Sequence, residues 1–234
     1  MLKSTCKSLE IEQCLAKRVL CICNIILKHP LFRGIVREET HKLTVIADVI
    51  KLQTEESLFS KGSKIEQMYF VLEGKVKIHS TDLDSSKTYI HQVALAGDVI
   101  ALETLYNNAV SYNYSAQCLD DSTILSLDRE KFAKVIKNNH HILFNLSQYL
   151  CNEVSSLNQR AEDLALKEVS ERLWLFLQEE AETQSSKHFE LSISKTDLAS
   201  LLGTILATLS RAFKDLESRR LIKVNRTHIE LLRC

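Results

Sequence analysis

Ala207, Ser210, Arg211 and Lys214 recur at i, i+3, i+4 and i+7, a spacing that places all four on one face of a helix. A guanidinium, an ammonium and a hydroxyl on one surface can bond phosphate oxygens and base edges. The opposite face carries Ile205, Leu209, Phe213 and Leu216 near helical period, and these are expected to point inward. A shorter helix precedes it. Ser194 is its predicted cap, with Asp197 as capping-box partner, and Leu198, Leu201 and Leu202 form its apolar stripe. Gly203 supplies the turn between the two. A short helix, a tight turn and a longer helix with a basic face read as a helix-turn-helix whose second helix enters the DNA major groove. The candidate DNA-contacting residues are Ser194, Lys195, Thr204, Ala207, Thr208, Ser210, Arg211 and Lys214.

The distribution of charge supports that reading. Thirty Lys and Arg balance 30 Asp and Glu over 234 residues, so no global basic bias exists. Between Gly203 and His228, however, Arg211, Lys214, Arg219, Arg220, Lys223 and Arg226 face only Asp215 and Glu217. A local cationic patch on a neutral chain points to phosphate contacts by one surface. An ordinary solvated helix carries such charges as i,i+4 pairs; the two-helix spacing and the hairpin pattern of Lys223–Leu232 favour DNA.

The elements that position this segment lie upstream. A hydrophobic fraction of 45% with 26% charged residues is that of a globular chain. The apolar run Val19–Leu27, broken by Asn24, is too short for a bilayer, which needs about 20 residues. Seven cysteines without an export signal imply a reducing compartment, and the chain is expected in the cytosol without membrane association. Residues 1–28 form a Cys-rich amphipathic leader. His29–Phe32 reads as a turn, and Glu38–Val49 as helical through Leu43, Ile46 and Val49. From Ile50 to Asp128 short runs alternate with period two, as in Met68–His79, Thr88–Leu95 and Ser111–Leu127, with Gly62, Gly74 and Gly97 at corners. Such strands make an antiparallel roll or barrel. A catalytic metal barrel would need clustered inward His and carboxylate ligands. The strands hold only His79 and His91, far apart, so no enzyme is expected.

After Arg129 the helical period returns. Leu143, Leu146, Leu150, Val154, Leu157 and Ala161, continued by Leu164, step by threes and fours, close to a coiled-coil seam. From Ile142 to Asp163 this helix would run about 33 Å. A stripe that long is expected to bury against a second copy of the chain. The predicted organisation is α+β: leader 1–28, β-roll 29–138, dimerisation helix 139–164 and winged helix-turn-helix 165–234.

That order resembles the Crp/Fnr family of bacterial transcription regulators, from about His29 to Leu232. The likeness is most specific in DLASLLGTILATLSRAFKDLESRRLI and in the roll strings LEGKVKI, LAGDVI and SAQCLDDSTILSLDREKF. It implies a cyclic-nucleotide-binding-like roll, a homodimer, an inverted-repeat double-stranded DNA site with TTGA-like half-sites, and RNA polymerase as a partner. By the same likeness Arg211 takes the guanine through the bidentate guanidinium–O6/N7 geometry and Ser210 touches the neighbouring thymine. The family usually has Glu where Ala207 stands. Alanine cannot accept a bond from cytosine N4, which leaves the base read there open.

Cyclic AMP is not expected as the effector. Relatives that bind it hold the phosphate with Gly-Glu and Arg-Ser pairs; Ala101-Leu102 and Val110-Ser111 stand there instead. No Lys or Arg occurs between Lys87 and Arg129, and a buried phosphodiester without a cation loses the bonds that offset its desolvation. Cys6, Cys14, Cys21 and Cys23 crowd the leader. Oxygen-sensing Fnr-type members ligate an iron–sulfur cluster with N-terminal cysteines and one from the roll, which makes Cys14, Cys21, Cys23 and Cys118 the candidate metal ligands. The spacing C-x7-C-x6-C-x-C differs from the family's C-x2-C-x5-C. An iron–sulfur or other metal centre, a thiol switch responding to redox state, a haem sensing oxygen or nitric oxide, and an unidentified ligand with structural cysteines therefore all stand. The opposite-class alternative is a ligand- or metal-binding β-roll protein whose C-terminal domain serves protein contacts.

Overall fold

The computed structural model describes residues 22–23, 26–82, 88–105 and 109–232. They fall into two compact units, within Met1–Ile78 with Val93–Asn152 and within His79–Gln92 with Glu153–Cys234.

The first unit is dominated by the roll. Strands β1 (Ala47–Leu52), β8 (Ser122–Asp128), β3 (Gln67–Glu73) and β6 (Val99–Ile100) lie side by side in that order. A second sheet has the order β2 (Ser57–Phe59), β7 (Ser115–Cys118), β4 (Val76–Thr81), β5 (Thr88–Ala94). Period two divides β3 between two cores. Met68 and Phe70 join Phe32, Leu127 and Phe132 on the helical side, while Tyr69 and Val71 join Phe59, Ile78, Tyr112 and Ile124 inside the roll. Both faces of this strand are therefore buried, and its pattern reads as a continuous apolar run.

Local chemistry fixes the corners. Gly74, between β3 and β4, has φ +89°, and a Cβ there would sit 2.3 Å from Ser122 Oγ and 2.7 Å from Ser122 Cα. Only glycine allows that approach. At the end of β8, Asp128 accepts the Lys131 N–H at 2.9 Å and caps helix α2 (Arg129–Lys137). The expected helix Glu38–Val49 is corrected: α1 covers Arg37–Val45, and residues from Ala47 enter β1, paired to β8 from Ala47–Leu127 onward. Ile46 caps the helix, and pairing along a whole strand edge overrode the helical spacing of Val49.

The predicted long helix is α3, His140–Leu166, 27 residues. One residue of the predicted stripe is corrected: Leu146 is 2% exposed and packs with Ile142 in the helical-side core of the roll. Leu143, Leu150, Val154, Leu157, Ala161 and Leu164 are exposed. Among the described residues no helix is long and apolar enough to cross a membrane.

In the second unit α4 (Val169–Thr183) opens with a capping box in which Glu168 and Glu171 exchange side-chain and backbone bonds. It packs against α6 (Leu206–Ser218), which follows α5 (Lys195–Leu201). Strands β10 (Ile222–Asn225) and β11 (His228–Leu231) form the predicted hairpin, with β9 (His188–Glu190) added to its edge.

Candidate nucleic-acid interface

Helix α5 starts where the cap chemistry places it. Ser194 Oγ accepts the Asp197 N–H at 3.0 Å, and its hydroxyl donates to the Asp197 carboxylate at 2.9 Å. Gly203 turns the chain with φ +65°, and a Cβ there would lie 2.8 Å from Leu164 Cδ2. Leu198, Leu202, Leu209, Phe213 and Leu216 are buried, which fixes the rotation of both helices.

That rotation leaves Ala207, Ser210, Arg211 and Lys214 exposed together on α6. Thr204, Lys195 and Thr208 are partly exposed, and Ser194 is exposed. The acids of the segment are occupied elsewhere: Asp215 pairs with Arg219 at 3.2 Å, and Glu217 accepts the Val224 N–H at 3.1 Å. Among the described residues neither Arg211 nor Lys214 has an ion-pair partner. The Ser210 hydroxyl donates to the Leu206 carbonyl at 2.9 Å, and its oxygen keeps its capacity to accept. Lys195 Nζ lies 5.2 Å from the centre of the Phe213 ring, so its ammonium is held at the junction of the two helices. Arg211 also borders an open groove of about 610 Å³ shared with Lys167, Arg172, Thr208, Arg219 and the acids Glu168, Glu171 and Asp215.

Ile205 departs from expectation. It is the N-cap of α6, with φ −100° and ψ 155°, and is 65% exposed. The helical phase that predicted burial does not apply to a residue outside the helix. Leu206, at the first helical position, is 45% exposed and was not singled out by sequence. Nor were Arg160 and Ser200, which tether the segment's backbone. Ser200 Oγ accepts the Ile90 N–H at 3.0 Å, and the same hydroxyl donates to the Thr88 carbonyl. No periodic signal marks either residue.

Ala101 and Leu102 are buried and Val110 is exposed. Arg129, the first cation after the gap, donates to the carbonyls of Thr104 and Ala109 at 3.2 and 3.3 Å. Phe59 stacks on Tyr112 at 3.8 Å, and the Tyr112 hydroxyl donates to the Gln67 carbonyl. Burial pushes the Tyr69 and Tyr112 hydroxyls up, so both stay protonated donors.

Cys118 lies fully buried inside the roll, and burial pushes its thiol up. Cys6, Cys14 and Cys21 lie outside the described residues; Cys23 is partly exposed. Among the described residues no three His, Cys, Asp or Glu side chains converge as a metal site. His29 is a packing residue, with Nδ1 accepting the Leu31 N–H and Nε2 bonded to the Gly97 carbonyl.

Comparison with known proteins agrees with this architecture. Residues 49–139 match the cyclic nucleotide-binding domain model, and residues 171–234 match the Crp-like helix-turn-helix domain model. The transcriptional activatory protein AadR of Rhodopseudomonas palustris is 24% identical over 226 residues, covering 94% of this chain and 89% of that protein. The nitrogen fixation regulation protein FixK of Bradyrhizobium diazoefficiens is 24% identical, covering 78% of this chain and 77% of its own length. The structure of FixK2 from Bradyrhizobium japonicum shares the fold with a TM-score of 0.70 at 22% identity, covering 80% of this chain and 93% of that one. With a cyclic nucleotide-binding domain followed by a Crp-like helix-turn-helix, the chain belongs to the Crp/Fnr family and is a DNA-binding transcription regulator, not an enzyme.

Proposed function

We propose that the protein acts as a homodimer on an inverted repeat of TTGA-like half-sites, each subunit placing α6 in a major groove. The observation that carries this reading is the exposed Ser210–Arg211–Lys214 face, whose cations have no ion-pair partner among the described residues. Arg211 reads guanine in the bidentate geometry, Ser210 meets the adjacent thymine, and Lys195, Ser194, Thr204 and Thr208 hold the backbone. The exposed residues of α3, Leu143, Leu150, Val154, Leu157 and Ala161, supply the dimer seam. Sensor 29–138, dimer helix 139–164 and DNA-binding segment 165–234 are the working parts. RNA polymerase is the partner at the promoter, and the cytosol is the compartment.

The test is a binding titration of the full chain on duplexes carrying two half-sites about 34 Å apart. Specific binding should disappear in Arg211→Ala at moderate salt. Normal binding by that variant would remove α6 from the recognition role. A chain that ignores duplex DNA at low ionic strength would instead favour a β-roll binding protein with a C-terminal protein-contact domain.

The effector reading follows from the roll. Its interior is filled by Phe59, Tyr69 and Tyr112, and Arg129 is engaged with carbonyls, which argues against cyclic AMP. We place the response in the cysteine-rich leader, through redox or metal chemistry of Cys14, Cys21 and Cys23, with Cys118 a core residue. Anaerobic purification followed by an absorption spectrum checks it. A broad visible band with acid-labile sulfide means an iron–sulfur cluster and a sharp Soret band means haem. A colourless protein whose DNA binding is indifferent to oxidants would overturn the proposal.

A further inference from the structure

We infer that Ile205, Leu206 and Ala207 form an apolar reading edge that selects thymine through its C5-methyl group, which makes Ile205 and Leu206 specificity-determining residues beside Arg211. The inference rests on the DNA-reading role proposed for α6. Three consecutive apolar residues are exposed at the entry of a helix whose remaining outer face is polar, Ile205 at 65% and Leu206 at 45%. Ile205 occupies an N-cap without a side-chain cap bond, at a position where Ser, Thr, Asp or Asn would stabilise the helix. An apolar residue there sacrifices local stability, and the core gains nothing from it because the side chain points to solvent.

The chemistry of the edge limits what it can read. None of the three side chains donates or accepts a hydrogen bond, so it cannot distinguish bases by their polar atoms. In the major groove the one apolar mark on a base edge is the thymine methyl. Leu206 precedes Ser210 by four residues and Ala207 precedes Arg211 by four, which aligns each apolar residue with a polar reader along the helix. The thymines so selected therefore adjoin the base pair read by Arg211. A glutamate at 207 would add a cytosine N4 acceptor; the alanine extends the methyl-reading surface instead.

The experiment uses the full chain and synthetic duplexes. A sequence selected from a random pool is rebuilt with each half-site thymine replaced in turn by deoxyuridine, which removes only the methyl. Loss of one buried methyl should weaken wild-type binding about fourfold at each position facing the edge. In Leu206→Ser and Ile205→Ser, thymine and uracil should bind about equally at the corresponding positions. Both side chains are exposed, so far-UV circular dichroism should match the wild type. Uracil-for-thymine indifference at every position, with binding still dependent on Arg211, would overturn the inference and leave the DNA-reading role standing. Failure to select any duplex would overturn both.

Discussion

Arg160 Nη2 donates to the Leu201 carbonyl at 2.9 Å, tying the second half of α3 to the last residue of α5. The same guanidinium donates to the carbonyls of Ile90 and His91, so one side chain fastens β5 to the helix ahead of the recognition turn. Burial holds its proton affinity below that of a free guanidinium, yet it remains charged and shared among neutral acceptors. The described residues within His79–Gln92 accordingly belong to the same compact unit as those within Glu153–Cys234.

Truncating this tether should loosen the C-terminal unit. Arg160→Ala leaves the Leu201 and Ile90 carbonyls without their donor, and an orphaned buried acceptor costs about 1–3 kcal/mol. Arg160→Lys should recover only part of that, because an ammonium lacks the planar fork. The chain has one tryptophan, Trp174 in α4, so urea unfolding followed by its fluorescence reports this unit. Unchanged midpoints in both variants would show that the tether is dispensable.

Lys195 and Arg211 should separate by specificity. Removing a phosphate contact weakens every sequence alike, so Lys195→Ala should lower affinity for operator and random duplexes by the same factor. The slope of log K against log salt should fall by about one. Loss of its stacking on Phe213 adds roughly 0.5–1 kcal/mol of instability. Selective loss of operator binding would reassign Lys195 to base reading.

Acid should destabilise the first unit through His29. Its Nδ1 accepts the Leu31 N–H at 3.2 Å, its Nε2–H donates to the Gly97 carbonyl at 2.9 Å, and burial holds its pKa below the usual imidazole range. The neutral ring is therefore the folded form. Above about pH 6.5 folded and unfolded chains are both neutral there and the contribution is complete. Below it the unfolded chain binds a proton the folded one refuses, so stability falls as pH falls, by at most about 1.4 kcal/mol per unit for one proton. His29→Gln should flatten this part of the pH dependence of unfolding. An unaltered slope would clear His29 of the effect.

Residues that share one helical spacing on α3 should behave in opposite ways. Leu146→Ala opens a cavity in the core that holds Ile142 and should cost about 2–5 kcal/mol in any oligomeric state. Val154→Asp and Leu157→Asp alter residues 55% and 57% exposed, and should yield folded monomers in sedimentation experiments. A Val154→Asp, Leu157→Asp double variant that stays dimeric would move the interface off α3.

The chain order of Ser194, Gly203 and the alternating cationic and apolar positions of Leu206–Ser218 settled the helix-turn-helix in one dimension. Cap bonds, turns and helical phase are local, and local chemistry is written in neighbouring residues. The roll was equally legible from β3 and β8, whose apolar runs have no helical alternative that buries them. Periodicity records which residues leave water but not what they meet. Leu146 therefore shared a spacing with Leu150 and Val154 yet went to its own core, Val49 left a helical pattern for a strand edge, and Ile205 fell one residue outside its helix. The Arg160 and Ser200 tethers were invisible for the same reason. Their partners are backbone carbonyls and amides, which every residue possesses, and only the folded chain decides which of them lie within reach.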